Sequence, residues 1–161
     1  MLAMSADPMR VIFVCTHNSA RSQMAEGMLR AWGGDRFVAY SAGTEATRVR
    51  PEAIRAMNEI GIDISGQSSK TLEPFLSEDF SWLITVCDQA REACPTLPGV
   101  AQQAHWSIDD PSAAEGDEET RVQAFRVARD ALRNHVEAFL RSAGGDGPRR
   151  QVPQGVGSES G

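Results

Sequence analysis

Short apolar runs alternate with helix-patterned segments along this chain, and no other feature narrows its fold as far. Residues 10–15, RVIFVC, are rich in Val, Ile and Phe and read as a buried strand. From about Ala20 the pattern turns helical, with Met24, Met28, Leu29 and Trp32 at three- and four-residue spacings and Gly33-Gly34 as the stop. FVAYSAGT is a second strand, Pro51 opens a helix that runs to Gly61, and FSWLITVC is a third strand. AQQAHWSI forms a fourth and leads into Asp109-Asp110-Pro111. A long helix over roughly 117–142 then places Val122, Phe125, Leu132, Val136, Phe139 and Leu140 on one face. Strands alternating with helices predict an α/β fold: a central four-stranded parallel sheet flanked by helices as a three-layer sandwich, joined by right-handed crossovers.

That architecture gives the cysteines their meaning. Ligands of parallel α/β sheets sit at the carboxyl ends of the strands. Cys15 and Cys87 both end apolar runs, and Asp110 follows another, so all three are expected at one rim. A cysteine taken at random is most often a small buried hydrophobe. Two of the three at such positions point instead to thiol chemistry, and an odd total does not suit a secreted disulfide framework.

The stretch from Cys15 to Ser22 reads as an anion cradle. With a helix starting near Ser19 or Ala20, the backbone N–H groups of Thr16, His17, Asn18, Ser19, Ala20 and Arg21 would curl around one point at the positive end of a helix dipole. Arg21 can close the site with a planar fork suited to a tetrahedral oxyanion. The same field favours thiolate over thiol at Cys15. Ser22 is placed to donate to the sulfur and Asn18 to pin the loop from within. A nucleotide phosphate loop would need glycines and a Lys-Ser or Lys-Thr pair, which are missing here. Cys87 and Cys94 are spaced too widely for a structural zinc site, so no metal is expected. His17 is expected as a solvated loop residue and His105 as a strand side chain.

Bulk properties limit the partners. A formal net charge of -6 argues against nucleic acid, which calls for a clustered basic surface. No apolar run approaches the roughly 20 residues of a membrane span, and the first eight residues carry no apolar signal core. A soluble cytoplasmic protein is the expectation, with one domain over 9–142, a short extension over 1–8 and a glycine-rich tail over 143–161 expected to be disordered.

The segment VCTHNSARSQMAEG resembles the nucleophile loop of the low-molecular-weight protein tyrosine phosphatase family, where Cys, five residues, Arg and Ser recur and a later Asp-Pro supplies a general acid. The resemblance covers roughly residues 10–141. Within that superfamily, Cys87 and Cys94, seven positions apart, together with His105-Trp106 ahead of Asp109-Asp110-Pro111, look like the thioredoxin-coupled arsenate reductases. The resemblance implies that Cys15 attacks arsenate held by the loop amides and Arg21, and that Asp110 protonates the departing hydroxyl. Cys87 then attacks Cys15, and Cys94 attacks Cys87, leaving a disulfide for thioredoxin. No cofactor is implied, since the reducing equivalents come from thioredoxin. The segment from 87 to about 100, with Pro95, Pro98 and Gly99, is expected to rearrange.

The chain departs from the pattern at two positions. Ala20 stands where some relatives carry a further cysteine. Lys70 stands where certain relatives place an acid that, with residues matched here by Asn18, Glu26 and Ser41, binds potassium; its ammonium could pair with Glu26 or be a solvated surface charge. A phosphatase would use the loop and the acid but leave two cysteines surplus, and an oxyanion-binding module would need neither Asp110 nor the cysteine pair.

Overall fold

The computed structural model describes residues 7–87 and 97–142. Cys94, most of the segment expected to rearrange, the start of the N-terminal extension and the tail lie outside the described residues. Four strands form one parallel sheet: β1 (Met9–Cys15), β2 (Phe37–Gly43), β3 (Phe80–Thr85) and β4 (Val100–His105), in the order β2-β1-β3-β4. Among the described residues the α-helices are α1 (Arg21–Gly33), α2 (Pro51–Asn58) and α3 (Glu118–Ser142). Among the described residues no helix is long and apolar enough to cross a membrane.

The nucleophile strand is a central one. β1 pairs with β2 along its whole length, Met9 with Phe37 through Cys15 with Gly43, and on its other side Val11 to Val14 pair with Trp82 to Thr85. From Val11 to Cys15, β1 is buried on both faces, so this part has no polar side and reads as an unbroken apolar run. The chain leaves β1 for β2 on one side and reaches β3 on the other, so the strand order reverses between β1 and β3. That reversal opens the crevice in which ligands of such sheets bind.

The two faces of the sheet are covered differently. Val11, Phe13 and Cys15 point into a core built with Met24 and Met28 of α1, Met57 of α2, and Phe125, Leu132 and Val136 of α3. Ile12 and Val14 point the other way, against Ala42, Phe75, Phe80, Leu83 and Leu97. Among the described residues that second layer is a 3-10 turn at Glu73–Phe75 and irregular chain. Pro74 and the lack of an apolar period near it give an α-helix nothing to build on.

Element ends shift slightly from the sequence reading. α1 starts at Arg21, so the loop keeps Ser19 and Ala20. α2 stops at Asn58, and the chain turns through Gly61 at φ +82°, a left-handed backbone that favours glycine. β3 ends at Thr85, although the Val86 N–H still donates to Val14 O at 3.0 Å. β4 ends at His105, where Trp106 turns inward to lie 5.7 Å from the Phe13 ring and stack on His135.

Candidate active site

The loop after β1 takes its shape from one unusual residue. Asn18 has φ +50°, the left-handed region that asparagine tolerates better than most side chains, and it is fully buried. Its side chain is engaged at both the oxygen and the nitrogen. Oδ1 accepts from the Lys70 backbone N–H at 2.7 Å and from Gln23 Nε2 at 2.9 Å, while Nδ2 donates to Ser22 Oγ at 2.8 Å. Ser22 Oγ in turn lies 2.9 Å from Cys15 Sγ. Cys15 is buried and carries a free thiol.

The loop carbonyls are taken from outside. Thr16 O accepts from the Glu45 N–H and the Thr44 hydroxyl, His17 O from the hydroxyls of Thr47 and Ser69, Asn18 O from Gln23 Nε2, and Ser19 O from the Arg50 N–H. The described peptide bonds are all trans, which sets each N–H opposite its carbonyl. The amides of His17, Asn18, Ser19 and Ala20 therefore turn toward the loop's interior, as an anion cradle requires. Gly43 allows the outer wall to approach this closely. A Cβ there would stand 2.7 Å from Thr16 O, 2.8 Å from Cys15 O and 2.9 Å from Asn18 N.

Arg21 closes the cradle from the first turn of α1. Its side chain is 3% exposed; Nη1 donates to Ile108 O at 3.0 Å and Nη2 lies 3.8 Å from Asp110 Oδ2. One guanidinium thus joins the nucleophile loop to the chain that follows β4. Asp110 is about one-third exposed and accepts from the Ser112 N–H at 2.9 Å, which fixes its carboxylate beside the turn opened by Pro111. Asp109 is exposed.

Cys87 is fully buried and disulfide-bonded, two residues past the end of β3. Its neighbour Val86 is hydrogen-bonded to Val14, so the fold brings Cys87 to the same rim as Cys15. His17 contributes backbone only: its ring is about half exposed and sits 3.6 Å from Glu45 Oε1. His105 is a strand side chain, with Nδ1 2.6 Å from Thr85 Oγ1.

Glu26, Ser41 and Lys70 do come together, but in an arrangement ill suited to a bound cation. Glu26 is almost fully buried; it accepts from Ser41 and Arg30, and the Lys70 ammonium stands 3.9 Å away. The oxygens a metal ion would want are committed to positive groups and to donors. Lys70 is held below the usual lysine pKa by burial; the Glu26 charge opposes that shift and Arg30 adds to it. Of the two sequence readings for Lys70, pairing with Glu26 is the one observed.

Among the contributors that the sequence does not single out are Gly43, Gln23, Arg30 and Gln67, whose Nε2 donates to Gln23 Oε1 at 2.7 Å. A glycine ending a strand at the loop's rim was a usable signal for Gly43. For Gln23 there was none, because a glutamine in the first turn of a helix reads as solvated, whereas here it is fully buried.

Comparison with known proteins gives this geometry a context. Residues 10–147 match the family model described as low molecular weight phosphotyrosine protein phosphatase. A protein of Halalkalibacterium halodurans named arsenate reductase is 43% identical over 129 residues, 80% of this chain and 93% of its own. The arsenate reductase of Bacillus subtilis is 40% identical over the same shares. A solved structure described as an arsenate reductase in the phosphate binding state superposes with a TM-score of 0.71 at 35% identity, covering 82% of this chain and 96% of that one.

Proposed function

This chain belongs to the low molecular weight phosphotyrosine protein phosphatase family, and from that premise we propose that it is an arsenate reductase working through three cysteines and recharged by thioredoxin. The observation that carries the reading is the state of the sulfurs: a free Cys15 inside the anion loop, with a disulfide-bonded Cys87 at the same rim. A phosphatase has no use for that second sulfur. Relatives at 40–43% identity named arsenate reductase point the same way.

In the proposed sequence, arsenate lies among the backbone amides of residues 16–21, of which those of 17–20 turn inward, with the Arg21 fork on its oxygens. The Cys15 sulfur bonds to arsenic, and one oxygen leaves as water after taking a proton from Asp110. Cys87, reduced at this stage, then attacks the Cys15 sulfur. The S–As bond breaks with its electron pair left on arsenic, so As(V) becomes As(III), arsenite departs and a Cys15–Cys87 disulfide remains. Cys94 attacks Cys87, freeing Cys15 as a thiolate and closing a Cys87–Cys94 disulfide. Thioredoxin, a dithiol, reduces that bond and is itself oxidised. Ser22 stabilises the Cys15 thiolate before it attacks and again when it leaves the Cys15–Cys87 disulfide, and the Lys70 ammonium stands in for a metal cation beside Glu26. We place the protein in the cytoplasm, where thioredoxin keeps thiols reduced.

The deciding assay follows arsenate-dependent NADPH oxidation through thioredoxin and its reductase. Turnover is expected, and Cys87→Ser should abolish it while sparing hydrolysis of p-nitrophenyl phosphate. Loss of both activities, or of neither, refutes the relay. If Cys94→Ser cycles at full rate with glutathione, thioredoxin is the wrong partner. The hydrolysis arm also addresses the alternative reading, phosphotyrosine phosphatase, which the Cys15, Arg21 and Asp110 set favours as a weak side activity.

A further inference from the structure

We propose that Gln23 and Gln67 are positioning residues: they fix the direction of a buried hydrogen-bond chain so that Ser22 donates its proton to the Cys15 sulfur. The proposal rests on Cys15 being the reactive thiol and concerns what tunes it.

The chain can be followed atom by atom from the surface. Arg30 Nη1, which can only donate, gives its proton to Gln67 Oε1 at 2.8 Å. That leaves the other end of the Gln67 amide, Nε2, to donate to Gln23 Oε1 at 2.7 Å and to Gln23 O at 3.0 Å. Gln23 Nε2 then donates to Asn18 Oδ1 at 2.9 Å and, from its other hydrogen, to Ser68 O at 2.9 Å. Asn18 Oδ1 also accepts the Lys70 N–H, so its amide cannot flip without setting two donors against an NH2 group. Asn18 Nδ2 therefore faces Ser22 and donates to its oxygen. With that lone pair taken, the Ser22 hydrogen is free to point at Cys15 Sγ, 2.9 Å away.

Every link points the same way, from a guanidinium toward the sulfur. Without the donors at Gln23, the Asn18 amide is held in its orientation by the Lys70 N–H alone. A flipped Asn18 would draw the Ser22 proton to its own oxygen and leave the sulfur without a donor. Gln23, Ser22 and Asn18 are fully buried, so water cannot stand in for a missing partner, and the links strengthen one another in a low dielectric.

The test reads the reaction of Cys15 with iodoacetamide in the full, reduced chain, located by mass spectrometry, for Gln23→Met, Ser22→Ala and the double variant. Gln23→Met keeps length and neutrality and removes only the donors and the acceptor. It is expected to slow Cys15 alkylation at pH 7 about 3- to 10-fold, the scale of one hydrogen bond, and to move the pH profile of the reaction to higher pH. In the Ser22→Ala background it should slow nothing further, because the chain acts only through that hydroxyl. An unchanged rate in Gln23→Met, or the same factor persisting without Ser22, overturns the proposal. If Gln23→Met does not melt cooperatively, Gln67→Met, at a half-buried site, replaces it with the same two outcomes. Alkylation needs neither arsenate nor a second thiol, so this result stands apart from the fate of the reductase assignment.

Discussion

Two polar networks in this molecule, one of ion pairs and one of amides and a hydroxyl, behave as opposites. On the outer surface of α2 and α3, Glu59 receives Arg126 and Arg129, Arg126 also reaches Glu119, and Arg55 pairs with Glu118 and Glu119. Water surrounds most of these charges, each pair is screened by salt, and any one can be replaced by a neighbour. Around Cys15, in contrast, Asn18, Ser22 and Gln23 are sealed from water, and each has only the partners the fold provides. The surface lattice tolerates loss because it is redundant. The buried chain does not, since a vacated partner leaves an unsatisfied group in a dry place.

The sharpest way to test that contrast is at the sulfur. Cys15→Ser should lower arsenate-dependent turnover by on the order of 1000-fold or more while the melting temperature stays near that of the parent. A large fall in melting temperature would mean the thiol is mainly a packing element. Next is Gly43→Ala, whose added Cβ meets three backbone atoms at 2.7–2.9 Å that have no room to yield. A loss of about 2–3 kcal/mol in urea unfolding is expected, with inorganic phosphate no longer protecting Cys15 from alkylation. Retained protection would show that the loop adjusts where the structure says it cannot.

The surface lattice should respond weakly, and chiefly through pH. Hydrogen bonds from Arg126 and then Arg129 hold the Glu59 carboxyl at about 2, below its ordinary 4.5. A carboxylate depressed by folding stabilises the native state fully above the unfolded value, and that contribution fades as pH falls from 4.5 toward 2. Glu59→Gln should therefore lower the melting temperature slightly at pH 7, by an amount that shrinks to nothing near pH 2. A decrement that stays constant across the range would contradict the ion-pair origin.

The smallest effect belongs to His135. Burial, with the nearby His105 charge, keeps its pKa below 6.5, and its ring stacks on Trp106 at 5.0 Å. Because the folded protein resists protonation there, stability is lost as pH falls below 6.5. His135→Phe should remove that part of the slope in thermal melts and leave the decline below pH 4.5 in place.

What was legible in the sequence divides along the same line. Val11, Ile12, Phe13 and Val14 announced a buried strand because burial on both faces leaves no polar alternation. Phe125, Leu132 and Val136 announced α3 through their period. Cys15, Arg21 and Asp110 stood out because residues of those types at strand ends are costly unless used. Gln23 and Gln67 were not legible, since they meet each other across 44 positions of chain and a glutamine looks alike wet or dry. Nor was the thin cover on the second face of the sheet: Leu72 and Phe75 show that something packs there without showing that a 3-10 turn suffices.

The interior position of β1 has a consequence for the life of the protein. A strand hydrogen-bonded on both sides opens only when most of the molecule opens with it. Chemical injury to Cys15 would thus leave the architecture standing. Such injury would free no part of the central sheet for quality-control proteases to grasp, and the molecule would persist in the cell as a well-formed but silent copy. Its removal would then wait on dilution by growth more than on surveillance for misfolding.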